Sequence, residues 1–294
     1  MSPLKRGERV AAAGFLAPVM LFYAAFILIP IVATVVFCFV TIDRFTMGMT
    51  FAGLEKFEWV YTDWRFWRTF LNTFYFIALA VTGNVGLGLL LAVLLDRALP
   101  RSVLYLFRLA YFFPVLVSVA FVSYIWRFLY GDDLGVINYY LRSAGLPGVP
   151  WLSSTMLAMI SIVIMDVWKH VGFFMIILLA ALQGVPKELV EAATLDGASR
   201  RGVFRHVTLP CIAPVILFCV TYATIGGLQV FDSIRILTEG GPGDATRSVV
   251  MYMIGEAFSA GDLSAGSVAA LTLLIVVSMV VALQARLARR WVST

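Results

Sequence analysis

The stretch from Thr155 to Gln183 reads TMLAMISIVIMDVWKHVGFFMIILLAALQ. At about 1.5 Å per helical residue it is long enough to cross the ~30 Å hydrocarbon layer of a bilayer. It lacks the apolar–polar alternation of a barrel strand. Backbone groups in hydrocarbon must find their hydrogen bonds inside the segment or in a closed sheet, so an apolar run of this length is read as a membrane-spanning helix. Three ionisable residues, Asp166, Lys169 and His170, lie in its middle.

Similar runs lie on both sides of it. Val10–Ile42, Phe70–Leu95 and Leu109–Tyr124 precede it, and Cys211–Val230 and Gly266–Ala285 follow. The sequence therefore predicts an all-α, polytopic membrane helix bundle with six transmembrane helices. Composition agrees, because 61% of the residues are apolar and 13% are charged, about half the charge of a soluble domain. The first run carries no charge but contains Pro18 and Pro30. It exceeds the roughly 20 residues of one crossing, so it is expected to tilt, to kink at Pro30 or to extend beyond the lipid. Lys5, Arg6 and Arg9 before it resemble the start of a signal peptide, but the run is far longer than a signal's apolar core and is read as a retained span.

Loop charge gives the orientation. With the amino terminus inside, 13 Lys and Arg residues fall on the inner side and 8 on the outer side, with Lys169 within a span. The positive-inside rule then places both termini in the cytoplasm. The net charge of +5 is scattered between apolar runs, so no nucleic-acid partner is indicated. Cys38, Cys211 and Cys219 each lie in an apolar run and are read as buried, inert thiols. Outside, 51–70 carries Trp59, Trp64 and Trp67, which suit the headgroup layer of the membrane lipid or, as the other reading, an external partner. Gly145, Pro147, Gly148 and Pro150 mark turns in 131–151.

The inner loop 184–210 holds the most informative residues: Val185-Pro-Lys-Glu-Leu-Val-Glu-Ala-Ala-Thr-Leu-Asp-Gly-Ala-Ser-Arg-Arg-Gly-Val-Phe-Arg-His-Val-Thr-Leu-Pro210. Pro186 suits a first helical turn, and Glu188 and Glu191 suit the positive end of the helix dipole. Leu189, Ala192, Ala193 and Asp196 share one narrow face at helical spacing. Gly197 permits a sharp break. A second short basic helix, with Arg200, Arg201, Phe204 and Arg205, is expected to end at Pro210. The small-residue face admits close approach by another surface; the plain alternative is a simple connector between spans.

The spacing Glu191-Ala192-Ala193-x3-Gly197-x9-Val207-x-Leu209-Pro210 resembles the EAA motif of binding-protein-dependent ABC importer permeases, with Val207 in place of the usual isoleucine. The run from Glu191 to Ala198 resembles the carbohydrate-uptake branch (maltose and glycerol-phosphate type), as does Phe204. Trp168-Lys169 with Gly172-Phe173, the Leu237-to-Pro242 stretch and Asn72-Thr73 resemble that branch more weakly. The resemblance implies a type I ABC importer permease fold and an amino-terminal part, 1–69, followed by a five-span core, 70–294. It implies that 184–210 carries a coupling helix on an ATP-binding subunit, with Glu191, Ala192, Ala193, Asp196, Gly197, Ala198, Arg200 and Phe204 as docking residues. It further implies a second homologous permease as a heterodimer, two ATP-binding subunits that hold ATP and Mg, an extracytoplasmic solute-binding protein, alternating access, and a bacterial or archaeal inner membrane.

Within the spans, Asp166 reaches Lys169 at i,i+3 and His170 at i,i+4, so internal pairing is feasible. A structural ion pair, a lining of the solute path and a proton relay all remain open. Asn72 and Asn84 are read as interhelical hydrogen-bonding groups, with a place on the pathway as the other reading. Gly83, Gly86 and Gly88 suit close helix packing. Gly240, Gly241 and Pro242 form a turn that lacks the Lys-Ser/Thr of a phosphate-binding loop, and this turn is a candidate contact for the binding protein.

With two histidines and no H-E-x-x-H, the sequence indicates no catalytic or metal-binding set and no cofactor bound by this chain. The function that fits best is a permease subunit for a sugar or sugar-like solute. Glycerol phosphate or a charged glycoside is the alternative within the family. A secondary transporter, driven by an ion gradient, is the alternative from another class; the sequence shows no clear internal repeat to support it.

Overall fold

The computed structural model describes residues 6–42, 48–96 and 100–292. Lys5, Arg44 and Arg97 of the charge count lie outside them, as do the side chains of Arg6, Arg9, Arg101, Arg289 and Arg290. The helices in chain order are α1 (Arg6–Tyr23), α2 (Ile29–Phe37), α3 (Glu55–Thr62), α4 (Trp64–Leu95), α5 (Arg101–Leu116), α6 (Val119–Leu129) and α7 (Val136–Ser143). They continue with α8 (Leu157–Gln183), α9 (Lys187–Leu195), α10 (Arg200–Val203), α11 (Leu209–Leu228), α12 (Asp232–Leu237), α13 (Val249–Ile254) and α14 (Leu263–Val292).

Among the described residues, five helical stretches are long and apolar enough to cross a bilayer: Ala11–Phe37, Trp64–Leu95, Leu157–Gln183, Arg200–Leu228 and Leu263–Leu287. The pair α5 and α6, bent by 97°, makes six if counted as one broken span.

The expected third span is therefore not a straight helix over Leu109–Tyr124. Pro114 has no N–H to continue the ladder, and Val117 and Ser118 take extended backbone angles that end α5. The prolines at 30 and 210 have a different outcome. Neither ends its helix, so the expected stop at Pro210 is corrected. A π turn, Ala24–Leu28 or Phe204–Thr208, lies just upstream of each. The residue before each proline, Ile29 or Leu209, donates its N–H five residues back, to the carbonyl of Ala24 or Phe204. Widening the turn relieves the clash between a proline ring and the carbonyl four residues earlier. As a result α10 and α11 run as one helix from the 184–210 loop into the fifth span.

The chain divides into two compact units. In Met1–Trp64 with Met253–Thr272, α2 gives way to an antiparallel hairpin, β1 (Val40–Ile42) and β2 (Met49–Phe51), with Val40 opposite Phe51. The β-branched Val40, Thr41 and Ile42 suit a strand once the helix has ended, and apart from this short hairpin the described residues form the helical fold that was expected. Lys56 Nζ meets Asp262 Oδ2 at 2.6 Å, and the Ser264 hydroxyl donates to the Val40 carbonyl.

The other unit, Arg65–Tyr252 with Leu273–Thr294, has its core where α4, α8 and α11 meet. Val85, Ala92 and Leu95 pack with Phe174, Met175, Leu178, Leu179 and Leu182 and with Ile212 and Cys219. Cys38 and Cys219 are buried, but Cys211 is exposed, contrary to expectation; all three are free thiols. Helix α5 lies so close to α8 that a Cβ on Gly172 would stand 1.9 Å from the Tyr111 carbonyl oxygen. Gly83 and Gly88 also sit against α8, whereas Gly86 faces nothing within 4 Å.

This contact makes a specific prediction. Gly172→Val lowers stability by about 1–3 kcal/mol or more, because the Tyr111 backbone has to move. Gly86→Ala leaves stability unchanged. Thermal unfolding of both variants in mild detergent tests the pair.

Candidate functional site

Helix α9 stands on the surface as a short, firmly ended rod. Asp196 closes it and Gly197 follows at φ +82°. The Gly197 N–H bonds to the Thr194 carbonyl and the Ala198 N–H to the Ala193 carbonyl, each at 3.0 Å. This paired pattern satisfies the last carbonyls of the helix and needs a left-handed residue after the cap. No atom lies within 4 Å of a Cβ built on Gly197, so glycine is needed there for its backbone angle and not for space. The Ser199 hydroxyl then accepts the Gly202 N–H at 3.2 Å and caps α10. The chain thus turns from one helix into the next with a hydrogen-bonded cap on each side of the corner.

The outer face of α9 has no cover. Glu188, Glu191, Ala192 and Asp196 are exposed, and so are Leu189 at 49% and Leu195 at 88%. Ala193 is half-buried, and Ala198 and Arg200 are exposed. Beneath the helix, a hollow of about 390 Å³ is lined by Val190, Thr194 and Ala198 together with Asp96, Arg200 and Phe204, among others. Burial lifts the Asp96 carboxyl above the ordinary carboxylate value.

The polar residues of α8 separate by partner. Asp166 accepts from Asn84 Nδ2 at 2.9 Å and stands 3.1 Å from His170 Nδ1. Lys169, only 3% exposed, instead donates to the Val115 carbonyl at 3.3 Å. That carbonyl belongs to the last turn of α5, where the break removes the N–H four residues on. The lysine caps it in trans and brings positive charge to a helix carboxyl end. Asp166 is therefore held by the second span, and Lys169 by the broken third one.

At the opposite end of α8, Asn72 Nδ2 donates to the carbonyls of Asp244 (2.8 Å) and Arg247 (3.1 Å). Thr73 Oγ1 accepts the Val249 N–H at 3.2 Å. These bonds tie α4 to a loop in which Glu239, Gly240, Gly243 and Asp244 all have positive φ. Thr246, fully buried, donates to the Gly241 carbonyl and meets the Thr238 hydroxyl, each at 2.8 Å. Arg127 Nη1 reaches the Ile236 carbonyl at 2.8 Å. Gly240 is buried, and Gly241 and Pro242 are half-buried.

Residues 84–293 match the family model of binding-protein-dependent transport system inner membrane components. The chain belongs to this family.

The permease is 34% identical, over 95% of its length and 94% of the relative's, to the trehalose/maltose transport system permease protein MalF of Thermococcus litoralis. It is 32% identical to the sulfoquinovosyl glycerol transport system permease protein SmoG of Agrobacterium fabrum, over 97% of its length and 92% of the relative's. Its fold is similar to that of a chain in the crystal structure of a bacterial ABC transporter involved in the import of the acidic polysaccharide alginate. The TM-score is 0.84, with 21% identity and 95% of both chains covered. The permease is a multi-pass inner-membrane protein with the type I ABC importer permease fold.

Geometry brings together residues that the sequence left apart. Asn72-Thr73 and the Gly240 loop, two separate signals in the sequence, form one hydrogen-bonded unit. The three residues of α8 do not form a common cluster, because Lys169 turns to Val115. The Ser199 cap lies outside the motif residues, although a serine directly before Arg200 is an ordinary N-cap signal. The Lys169 contact had no local signal, since its partner is a backbone carbonyl 54 residues away.

Lys169→Met leaves the Val115 carbonyl without its donor in a water-poor site and lowers permease stability by about 1–3 kcal/mol. Lys169→Arg retains most of that stability. Thermal unfolding in detergent checks both variants, and a methionine variant as stable as wild type contradicts the capping role.

Proposed function

We propose that this permease forms half of an ATP-driven import pathway for a sugar or sugar-like solute, with α9 as its coupling helix on an ATP-binding subunit. The observation that carries the reading is α9 itself. It is a surface helix with a satisfied carboxyl end, a fixed corner at Gly197, and an apolar-and-acidic face that includes Leu195 at 88% exposure. An isolated connector gains nothing from exposed leucines, whereas a partner's groove would bury them. In this reading Glu191 pairs with a cation of the ATP-binding subunit. Ala192, Ala193, Asp196 and Ala198 seat against it, Gly197 sets the corner, and Arg200 and Phe204 support it from α10 and the following π turn. Because α10 continues into α11, a pull on this corner is transmitted directly to a membrane span.

The solute class comes from the relatives, whose names give trehalose/maltose, sulfoquinovosyl glycerol and, for LacF of Rhizobium radiobacter at 33% identity, lactose. A charged glycoside stays as the second reading, favoured by the sulfoquinovosyl glycerol relative. The pathway wall includes His170 and Asp166, whose side chains keep 33% and 16% of their surface exposed in the fourth span. Asn84 orients Asp166, Lys169 holds the broken span, and Asn72 steadies the outer loop. Gly240, Gly241 and Pro242 belong to the face that meets a solute-binding protein. The assembly is completed by a second homologous permease and by two ATP-binding subunits that hold ATP and Mg; this chain holds neither. Both termini then lie in the cytoplasm of a bacterium or archaeon.

Glu191→Lys and Gly197→Asp abolish ATP-dependent solute uptake while the protein remains in the membrane. The first reverses the docking charge, and the second puts a side chain where φ is +82°. Uptake assays beside membrane immunoblots test this, and normal uptake by both variants contradicts the coupling role.

A further inference from the structure

Arg108 is a cation in need of an anion. It lies in α5, whose sequence holds no acidic residue. The side chain is half-buried, and its Nε is covered and bonds to nothing. Among the described residues it enters no ion pair. Leu104, four residues before it, and Tyr111, three after, share its face of the helix. Both pack against the core that contains Leu95, Leu182 and Ile212, so Arg108 stands between spans at the end of the bundle that leads to α9. Val115, whose carbonyl holds Lys169, is seven residues further on, or about 10 Å along the helix. At that depth Arg108 is near the edge of the hydrocarbon layer, where an unpaired charge is costly.

One turn deeper a slot begins. A cavity of about 450 Å³ is lined by Leu79, Gly83, Leu87 and Leu90 of α4, Tyr111 of α5 and Trp168 of α8, among others, and no charged side chain lines it. Leu79 and Leu91 both line it, so it runs about 18 Å along α4, close to the ~15 Å of one leaflet in a ~30 Å hydrocarbon layer. Its residues on α8, such as Ile164, Val167 and Val171, lie on a different face from Asp166 and His170. Leu87, Leu90 and Ile164 are exposed, so the slot is open along its side.

A buried cation at the membrane boundary and an apolar slot leading inward from it match the two ends of one molecule. Basic groups between spans take anionic lipid headgroups. A partner helix filling the slot would still have to bring a carboxylate to Arg108, whereas a phospholipid carries its phosphate at the end of its chains. We infer that Arg108 and this slot form a binding site for an anionic phospholipid, with the phosphate at the guanidinium and one acyl chain between α4, α5 and α8. The chain then fills the space beside the broken third span.

The test uses the intact transporter, depleted of lipid in detergent and titrated with phosphatidylglycerol or phosphatidylcholine, with bound lipid read by native mass spectrometry. Phosphatidylglycerol binds with a Kd lower by about tenfold. Arg108→Gln removes this preference and Arg108→Lys keeps most of it. Leu87→Trp, which fills the slot, weakens binding of both lipids. Inorganic phosphate at the same concentration does not displace the lipid, because it has no chain. Wild-type subunit composition and size-exclusion profile show that the variants are folded. A photoreactive benzophenone residue in place of Leu90 cross-links to phospholipid in native membranes. Equal affinity of the wild type for the two lipids, a glutamine variant that retains the preference, or a cross-link from position 90 to a second permease instead of lipid each overturns the inference.

Discussion

In a bilayer no water is at hand to accept or donate a bond to a broken helix, so each interruption of a span has to be repaired by the protein. This constraint shapes the structure of the permease. Pro30 and Pro210 are each accommodated by a π turn, in which the preceding residue bonds five positions back. The break at Val117 and Ser118 opens too wide for such a repair, and Lys169 supplies the missing donor from a neighbouring helix. The cost of an unsatisfied carbonyl therefore accounts for the presence of a lysine deep within an apolar span.

Helix α8 acts as a crossbar. Through Asp166 it holds Asn84 of the second span, and through Lys169 it holds the end of α5. Gly172 lets α5 approach to backbone contact. Because the two charged side chains bond to different helices, a movement of either helix is felt by α8 within one helical turn. The other end of α8 leads directly to α9. Side-chain chemistry in the middle of the membrane is thereby joined, through α8, the short turn at 184–186 and α9, to the surface corner at Gly197.

Much of this was legible in the sequence. Long apolar runs gave the helical bundle, and the residues from Glu191 to Pro210 gave α9, its break and the family. Element type followed from local pattern because a membrane helix is specified by an unbroken apolar run. What escaped were features decided by distant partners. The 97° bend of the third span depends on backbone angles at Val117 and Ser118 and on a lysine far along the chain. The continuity of α10 with α11 was hidden because a proline reads as a stop unless the turn before it widens. The hairpin of β1 and β2 lies beyond the end of α2, in a stretch that hydropathy alone merges with the span. Asn138 gave no signal, because its partners are mostly carbonyls whose positions a sequence does not show.

The proposed function depends on α9 being the point at which this permease meets an ATP-binding subunit. Native mass spectrometry of the complex, purified in gentle detergent from its own membranes, tests that claim most directly. The expected mass corresponds to one copy of this chain, one homologous permease and two copies of an ATP-binding subunit. A lone chain or a homodimer, with no ATP-binding subunit at any detergent concentration that keeps the protein folded, would contradict it.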